Sequence, residues 1–256
     1  MTSLDLVPSD SEGIDTVVGS ILDRSLVRDL VSTSDVIVHI AAWHGYHAFT
    51  RSKSEEEFWD VNMTGTFNIL EACARHKKRK FIFISSTSVD EWPEMYGMTK
   101  ALGEDLCRAY AVRHEMQTLA LRPRAFIPWW NTQVYKSKAE WAAWFARGAV
   151  HIEDVTTAVV SACQKVLEVD KAWFEAIELD GRHDFDELEK GEWREQGRIP
   201  FLVNRFPGLA STIVDTTFLP SEPPSYKDLT KARDLLAYEP RYGYEEMLRE
   251  LSPKRD

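Results

Sequence analysis

The stretch Asp35-Val-Ile-Val-His-Ile-Ala-Ala42 decides the fold class of this 256-residue chain. Its apolar residues are continuous rather than alternating, which is typical of a strand buried on both faces of a parallel sheet. Three other runs share this character: Thr16–Ile21, Lys80–Ser85 and Thr118–Arg122. Longer stretches with helical periodicity separate the runs, as βαβ units require. The sequence therefore predicts an α/β protein with a doubly wound, mostly parallel sheet.

Two long helices are predicted in this first part of the chain. In Glu55–His76 the apolar and small residues recur at steps of three and four, which is the period of a helix with one buried face. The second predicted helix is Met95–Arg113. Both lie between predicted strands, so we expect them to be crossover helices that cover the sheet.

The composition changes after Arg124, where aromatic residues become frequent. Ser137 and Glu140 form a capping-box pattern that opens a further helix. That helix carries three large aromatic side chains, Trp141, Trp144 and Phe145. We expect these rings to be buried, within the chain or against a second copy, because an aromatic stripe at helical spacing is more often core than a ligand-stacking surface.

The overall charge and the amino terminus limit the classes of partner. Lys and Arg total 31 against 41 Asp and Glu, a formal net charge of -10. This balance opposes binding to nucleic acid or to an anionic membrane, so a small-molecule substrate is expected. The polar, acidic start and the lack of a long apolar stretch predict a cytoplasmic protein.

The cysteines and histidines do not predict a metal site. Cys73, Cys107 and Cys163 lie far apart in helical segments and are interpreted as buried apolar thiols. His44 and His47 follow His39, but no carboxylate or cysteine accompanies them at a usable spacing, and His39 lies within a predicted strand. No metal is therefore expected.

The order of several short motifs resembles that of a known family. The motifs are Asp35–Ala42, Asn62-Met-Thr-Gly-Thr66, Ser85-Ser86-Thr87-Ser88, Tyr96-Gly-Met-Thr-Lys100, Leu121-Arg-Pro123, His151-Ile-Glu-Asp-Val155 and the segment from Asp228 to Gly243. In this order they are similar to nucleotide-sugar epimerases and dehydratases, the extended short-chain dehydrogenase/reductase family. Each motif alone is weak, and their shared order carries the resemblance. It implies a Rossmann-like fold.

The resemblance assigns catalytic roles to Ser86, Tyr96 and Lys100. Tyr96 and Lys100 are four residues apart near a helix start, so their side chains share one face. A nearby ammonium favours the tyrosinate form, which could remove a proton from a substrate hydroxyl while hydride leaves for a nicotinamide. Ser86 or Thr87 would position the same oxygen, and the resemblance favours Ser86. For an arbitrary pair, the competing interpretation is a surface contact over the helix start.

Other positions are assigned to ligands by the same resemblance. The cofactor would contact Asp5, Ala41, Ala42, Tyr96 and Lys100, and the substrate would contact Thr87 and Arg124. Asp5 would bind the adenosine ribose and favours NAD over NADP. Asn62 either reaches the active-site backbone or water, or holds helix and sheet together; both interpretations stay open.

The glycine-rich turn of a dinucleotide site is missing from this sequence. The twelve glycines contain no Gly-x-Gly-x-x-Gly spacing, and only four residues precede Asp5. We therefore expect an N-terminally truncated Rossmann-like fold that begins at the second strand and binds NAD(P) weakly or not at all. The strands on either side of the missing one would pair directly or take a substitute from another copy, which predicts a homo-oligomer. The loop between Ser86 and Tyr96 is also shorter than the family's.

The predicted domain organisation has two parts. Residues 1–128 would form the incomplete Rossmann-like domain, and residues 150–180 would return to it. Residues 129–149 and 181–256 would form a smaller C-terminal substrate or interface lobe.

Two functions follow from this pattern. The first hypothesis is an NAD(P)-dependent epimerase/dehydratase-like oxidoreductase acting on a hydroxyl-bearing substrate, a sugar nucleotide being the family default. The second is a non-catalytic relative that has lost cofactor binding and acts as a binding or regulatory subunit.

Overall fold

The computed structural model describes residues 1–9, 11–90, 94–183, 185–216 and 218–252. The chain forms two compact units. The first unit comprises Met1–Arg122 and Ala162–Ile177, and the second comprises Pro123–Ser161 and Glu178–Asp256. Each unit therefore contains two separate stretches of the chain.

The strands form a two-stranded and a four-stranded sheet, in the orders β1-β2 and β3-β4-β5-β6. They are β1 (Thr2–Asp5), β2 (Asp15–Val18), β3 (Val36–His39), β4 (Lys80–Ile84), β5 (Gln117–Pro123) and β6 (Trp173–Leu179). The pairs β1/β2, β3/β4 and β4/β5 are parallel. At β5/β6, the Trp173 amide donates to the Met116 carbonyl at one end and the Arg124 amide to the Leu179 carbonyl at the other, so these strands run the same way. The predicted α/β class with a parallel sheet is confirmed.

The sequence predicts that the two neighbours of the missing strand, here β1 and β3, pair directly or take a substitute strand from another copy. Direct pairing of β1 with β3 is wrong. In the part of the chain that the structure describes, β1 pairs with β2 and β3 pairs with β4, and the two belong to different sheets. Predicted and observed strands also differ in length. The strand predicted over Asp35–Ala42 ends at His39, so Ala41 and Ala42 lie in the loop beyond it.

Twelve α-helices are present among the described residues. They are α1 (Arg24–Ser32), α2 (Gly45–Phe49), α3 (Glu55–Phe58), α4 (Thr66–Arg75), α5 (Met95–His114), α6 (Lys138–Phe145), α7 (Ile152–Glu168), α8 (Glu187–Gln196), α9 (Arg198–Arg205), α10 (Ala210–Val214), α11 (Thr230–Leu236) and α12 (Tyr244–Leu251). No helix of the described residues is both long and apolar enough to cross a membrane.

The helix predicted over Glu55–His76 is not a single α-helix. A π-helical stretch, Trp59–Gly65, separates α3 from α4. Within it the Thr66 hydroxyl donates to the carbonyl of Asn62 at 2.5 Å. A π-helical turn holds one more residue than an α-helical turn and occurs often at functional sites. Here it contains Asn62, one of the motif residues.

Each unit has its own hydrophobic core. In the first, residues of β4, β5, α1, α4 and α5 pack together, and Cys73 and Cys107 are buried among them, as predicted. Burial raises the pKa of the Cys73 thiol to about 12. Cys163 is half-buried. In the second unit the core includes Trp141 and Phe145 of α6 and aromatic residues of α8, α9 and α12.

Trp141 and Phe145 are buried within the chain, as predicted, but Trp144 is not, and its burial against a second copy stays a prediction. Trp144 is 45% exposed. Successive helical residues are rotated by about 100°, and the buried arc of α6 extends from Trp141 over Phe145 to Ala142. Trp144 lies on the other side of Trp141 from that arc, so its ring reaches solvent. The Ser137 cap is confirmed, since its hydroxyl accepts from the Glu140 amide at 3.2 Å.

Candidate active site

Ser86 lies just beyond the carboxyl end of β4. The backbone amide of the preceding Ser85 donates to the Leu121 carbonyl at 2.7 Å, which extends the pairing with β5 past Ile84. The Ser86 hydroxyl accepts from the Ser88 amide at 3.1 Å and is nearly buried. Its own proton is not used in that bond, so Ser86 can donate to a ligand oxygen.

Tyr96 and Lys100 lie in the first turns of α5. The Glu94 side chain caps this helix by accepting from the Gly97 amide at 3.1 Å. The Lys100 amine lies 5.9 Å from the centre of the Tyr96 ring, so the two side chains share a face as the spacing predicted. Lys100 is only 4% exposed, which excludes the surface-contact interpretation of this pair.

The Lys100 amine is held at the end of β4. It donates to the Ile84 carbonyl at 2.6 Å and lies 4.9 Å from the centre of the Phe83 ring. Burial lowers its pKa to about 8, because an ammonium is poorly solvated there. One of its three N–H donors is used by Ile84, which leaves donors for a ligand in this region.

Asn62 joins the loop after β3 to α5. Its side-chain amide accepts from the Trp43 amide at 2.8 Å and donates to the Trp43 carbonyl at 3.0 Å. It also donates to the Thr99 hydroxyl at 3.0 Å, and that hydroxyl donates to the Tyr96 carbonyl. Asn62 therefore links the backbone of the loop after β3 to Thr99, whose hydroxyl binds the Tyr96 carbonyl.

The same loop passes close to the Tyr96 ring. A Cβ atom added at Gly45 would lie 3.3 Å from Cδ1 of Tyr96. The backbone at Gly45 therefore approaches the ring more closely than most side chains would allow.

Three histidines near this loop have pKa values lowered by burial. His39 is bonded through Nε2 to the Thr66 hydroxyl at 2.8 Å, and burial lowers its pKa to about 3. Burial also lowers the pKa of His44 to about 4 and lowers that of His47. Among the residues with described positions, no group of three or more His, Cys, Asp or Glu could hold a metal ion.

The remaining predicted cofactor residues also follow strands. Asp5 ends β1, where its carboxylate accepts from the Val7 amide at 3.2 Å and is otherwise exposed. Ala41 is exposed and Ala42 half-buried, just after β3. In open α/β sheets, ligands bind at the carboxyl ends of the strands, which is where these residues lie.

The two predicted substrate residues lie in different units. Thr87 begins a short 3-10 helix after Ser86. Arg124, in the second unit, uses its guanidinium internally: it donates to Asp180 at 3.2 Å, to the Ser225 carbonyl at 2.8 Å, to the Ser225 hydroxyl and to the Arg147 carbonyl. The substrate role of Arg124 stays a prediction and would have to share the side chain with these bonds.

A buried polar cluster beside the site was not predicted. The Ser85 hydroxyl donates to Oε1 of Glu104 at 2.5 Å, and Arg122 binds both oxygens of that carboxylate, at 2.8 and 2.6 Å. Glu104 follows Lys100 by four residues, so helical spacing alone places it on the face of α5 that carries Tyr96 and Lys100. Its partners on the strands leave no comparable local signal.

The comparisons with known proteins agree with this architecture. Residues 5–173 match the model of the NAD dependent epimerase/dehydratase family. A uronate dehydrogenase of Pseudomonas putida is 26% identical over 48% of this chain and 49% of its own length. A dTDP-glucose 4,6-dehydratase of Streptomyces niveus is 31% identical over 51% of this chain and 46% of its own length.

Among solved structures, MoeE5 in complex with UDP-glucuronic acid and NAD is similar in fold. It has a TM-score of 0.66 and 18% identity, with 97% of this chain and 88% of that chain covered. At this identity the likeness shows the fold alone. The curated relatives are matched over about half to two thirds of their lengths: 65%, 49% and 46% for three of them.

Proposed function

Because the chain belongs to the NAD dependent epimerase/dehydratase family, we propose that it is an NAD(P)-dependent oxidoreductase or epimerase acting on a hydroxyl-bearing substrate. One observation carries this proposal: the amine of Lys100 is buried beside the Tyr96 ring and binds the carbonyl of Ile84 at the end of β4, two residues before Ser86 in the sequence. Sugar nucleotides and uronates are the first substrates to test, because MoeE5 was solved with one and a relative is named for the other.

In the proposed mechanism Tyr96 is the general acid and base. The Lys100 ammonium favours the tyrosinate, which takes a proton from the substrate hydroxyl. Ser86 donates a hydrogen bond to the same oxygen. A bound nicotinamide supplies the hydride acceptor. Asn62 keeps the backbone around Tyr96 in place through Trp43 and Thr99, so the hydroxyl meets the substrate in a fixed orientation.

The residues present fit one half of a dinucleotide. Lys100 retains N–H donors beyond the bond to Ile84, which suits the ribose next to a nicotinamide. Asp5 has an exposed carboxylate for the adenosine ribose and favours NAD over NADP. The twelve glycines do not supply the spacing that cradles a pyrophosphate. We therefore propose that residues 1–256 by themselves bind the cofactor weakly.

The absent glycine spacing also favours a second candidate, a binding or regulatory subunit without turnover. The two candidates differ in their response to cofactor. Nine tryptophans allow NAD(H) and NADP(H) to be titrated by fluorescence, with melting temperature as a second readout. Micromolar affinity for this chain would contradict weak binding, whereas no binding and no turnover at the highest cofactor concentration tested would favour the regulatory subunit.

Tyr96→Phe tests the catalytic assignment. Turnover of a panel of UDP-sugars, dTDP-glucose and uronates should fall by about 10²- to 10⁴-fold with an unchanged melting temperature. NADH absorbance follows net oxidation, and chromatography of the sugar products follows epimerisation or dehydration, which leave no net NADH. Tyr110→Phe is the matched control on the same helix, since the Tyr110 hydroxyl bonds to Glu71. A Tyr96→Phe enzyme that keeps its rate would end the assignment.

A further inference from the structure

We propose that Glu104 is a positioning residue of the candidate site, acting through Lys100. In this proposal the cluster of Ser85, Glu104 and Arg122, here called the clamp, fixes α5 against β4 and β5 and keeps the Lys100 amine charged beside Tyr96. The inference deepens the proposed function and rests on it for its catalytic meaning.

The carboxylate at the centre of the clamp is buried and bonded at both oxygens. Glu104 is 2% exposed, and its two oxygens accept three bonds, one from Ser85 just after β4 and two from Arg122 of β5. A buried carboxylate is retained only when charge and hydrogen bonds compensate its lost hydration. Arg122 provides both through a bidentate contact, the strong geometry for this pair. Removing either partner therefore leaves an uncompensated charge.

The clamp and Lys100 hold α5 to consecutive residues of one strand end. Lys100 donates to the Ile84 carbonyl, and Glu104, one helical turn later, accepts from the Ser85 hydroxyl. Sliding or rotating α5 along β4 would break both bonds. Tyr96 lies one turn before Lys100, and Ser86 is the next residue after Ser85, so the same two bonds set the position of Tyr96 relative to Ser86.

Charge gives the clamp a second effect. The titratable groups that face Lys100, act on it or respond to it include Tyr96, Cys107, Glu104, His39 and His44. Burial holds both histidines neutral near pH 7 and raises the pKa of the Cys107 thiol. The carboxylate of Glu104 is then the charged neighbour that opposes the effect of burial on Lys100, raising its pKa.

The test is the titration of Lys100 in Glu104→Gln, read by NMR of the lysine 15Nζ and 13Cε nuclei and assigned by the signal lost in Lys100→Met. Glutamine keeps the shape of the side chain and removes its charge. The acid dissociation constant of Lys100 should increase roughly threefold or more. Asp180→Asn is the matched control: Asp180 is an equally buried, arginine-bound carboxylate of the second unit, so this variant should leave the Lys100 titration unchanged.

A lower melting temperature of Glu104→Gln with an unchanged Lys100 titration would overturn the proposal, since the clamp would then be structural only. If Glu104→Gln does not fold, Glu104→Asp decides. It keeps the charge and shortens the side chain, so amide exchange of residues 95–104 should be faster while the Lys100 titration stays as in the unsubstituted chain. Unchanged exchange would count against the clamp. These readouts need no turnover, so they separate failure of the clamp from failure of the proposed function.

Discussion

Arg122 and Arg124 are two positions apart in sequence, yet they bind buried carboxylates in different units. Arg122 makes a bidentate contact with Glu104 of α5. Arg124 makes a single contact with Asp180 and also donates to the carbonyls of Ser225 and Arg147. The first arginine acts on the helix that carries Tyr96 and Lys100, whereas the second joins three segments of the second unit. Sequence position near a site therefore does not show which arginine serves the chemistry.

Asp180→Ala should have the largest effect on stability. Asp180 has no exposed surface and accepts from Arg124 and from the amides of Gly181 and Lys227. Removing it leaves a partly buried guanidinium without its counter-charge, which costs about 3–5 kcal/mol. Urea unfolding measures this loss. A loss below about 1 kcal/mol would show that the Arg124 pair is not structural, and would free Arg124 for the predicted substrate role.

The parts of the fold that the sequence predicted are those with local signals. Strands β3, β4 and β5 were found because their apolar runs are continuous. Strand β6, Trp173–Leu179, was not, because charged Glu175 and Glu178 interrupt it. The π-helical turn at Asn62 was missed since a period of three to four residues cannot distinguish a widened turn from an α-helical one.

The candidate site also contains residues that local sequence signals predicted and residues that they did not. The spacing of Tyr96 and Lys100 predicted their common face, which the structure confirms. The clamp could not be predicted, because Arg122 is 18 residues from Glu104 and reaches it only through tertiary packing. The partners of Arg124 are still more distant, at 56 and 101 residues. Contacts of this kind carry no periodicity, so only a structure reveals them.

The second prediction concerns Lys100, on the helix that Arg122 binds. It compares the pH dependence of the free energy of unfolding between the unsubstituted chain and Lys100→Met. The folded-state pKa of Lys100 is lowered from 10.5 to about 8 by burial. Below about pH 8 both states are protonated and the chain bears the full cost of a buried ammonium; between about pH 8 and 10.5 the unfolded state binds more protons, so stability rises with pH. Over this pH range the unsubstituted chain should gain about 2–3 kcal/mol in free energy of unfolding relative to Lys100→Met.

The measurement is the free energy of unfolding of both chains from about pH 7 to about pH 10. Comparing them cancels the tyrosines and cysteines whose raised pKa values lower stability in the alkaline range. The unsubstituted chain should gain stability relative to Lys100→Met as pH rises. A difference that does not change with pH would mean that Lys100 is not desolvated in the folded state.

Gly148→Ala tests the packing around the Arg124 guanidinium without changing any charge. Gly148 has φ of +107°, and an added Cβ would lie 2.4 Å from Nη1 of Arg124. We expect a loss of about 1–3 kcal/mol in thermal or urea unfolding, because both backbone and guanidinium must move. Gly191→Ala is the matched control: it lies within α8 with no atom near the added Cβ, so alanine should be neutral or stabilising. Equal effects of the two substitutions would contradict this account of Arg124.

The smallest effect is expected from Asp105→Asn, at the residue next to Glu104. Asp105 also pairs with an arginine, Arg108, at 2.6 Å, but the two side chains are 66% and 55% exposed. In solvent the pair is screened and its ordering costs side-chain entropy, so its loss should change the free energy of unfolding by less than about 0.5 kcal/mol. The Lys100 titration should also stay as it is, because Asp105 is not among the groups that act on Lys100. Two adjacent carboxylates that both pair with an arginine would then differ because one is buried, bound at both oxygens and on the Lys100 face of α5, and the other is exposed. If Asp105→Asn instead destabilised the chain as much as Glu104→Gln, or moved the Lys100 titration, the effect assigned to the clamp would belong to the charge of α5 as a whole.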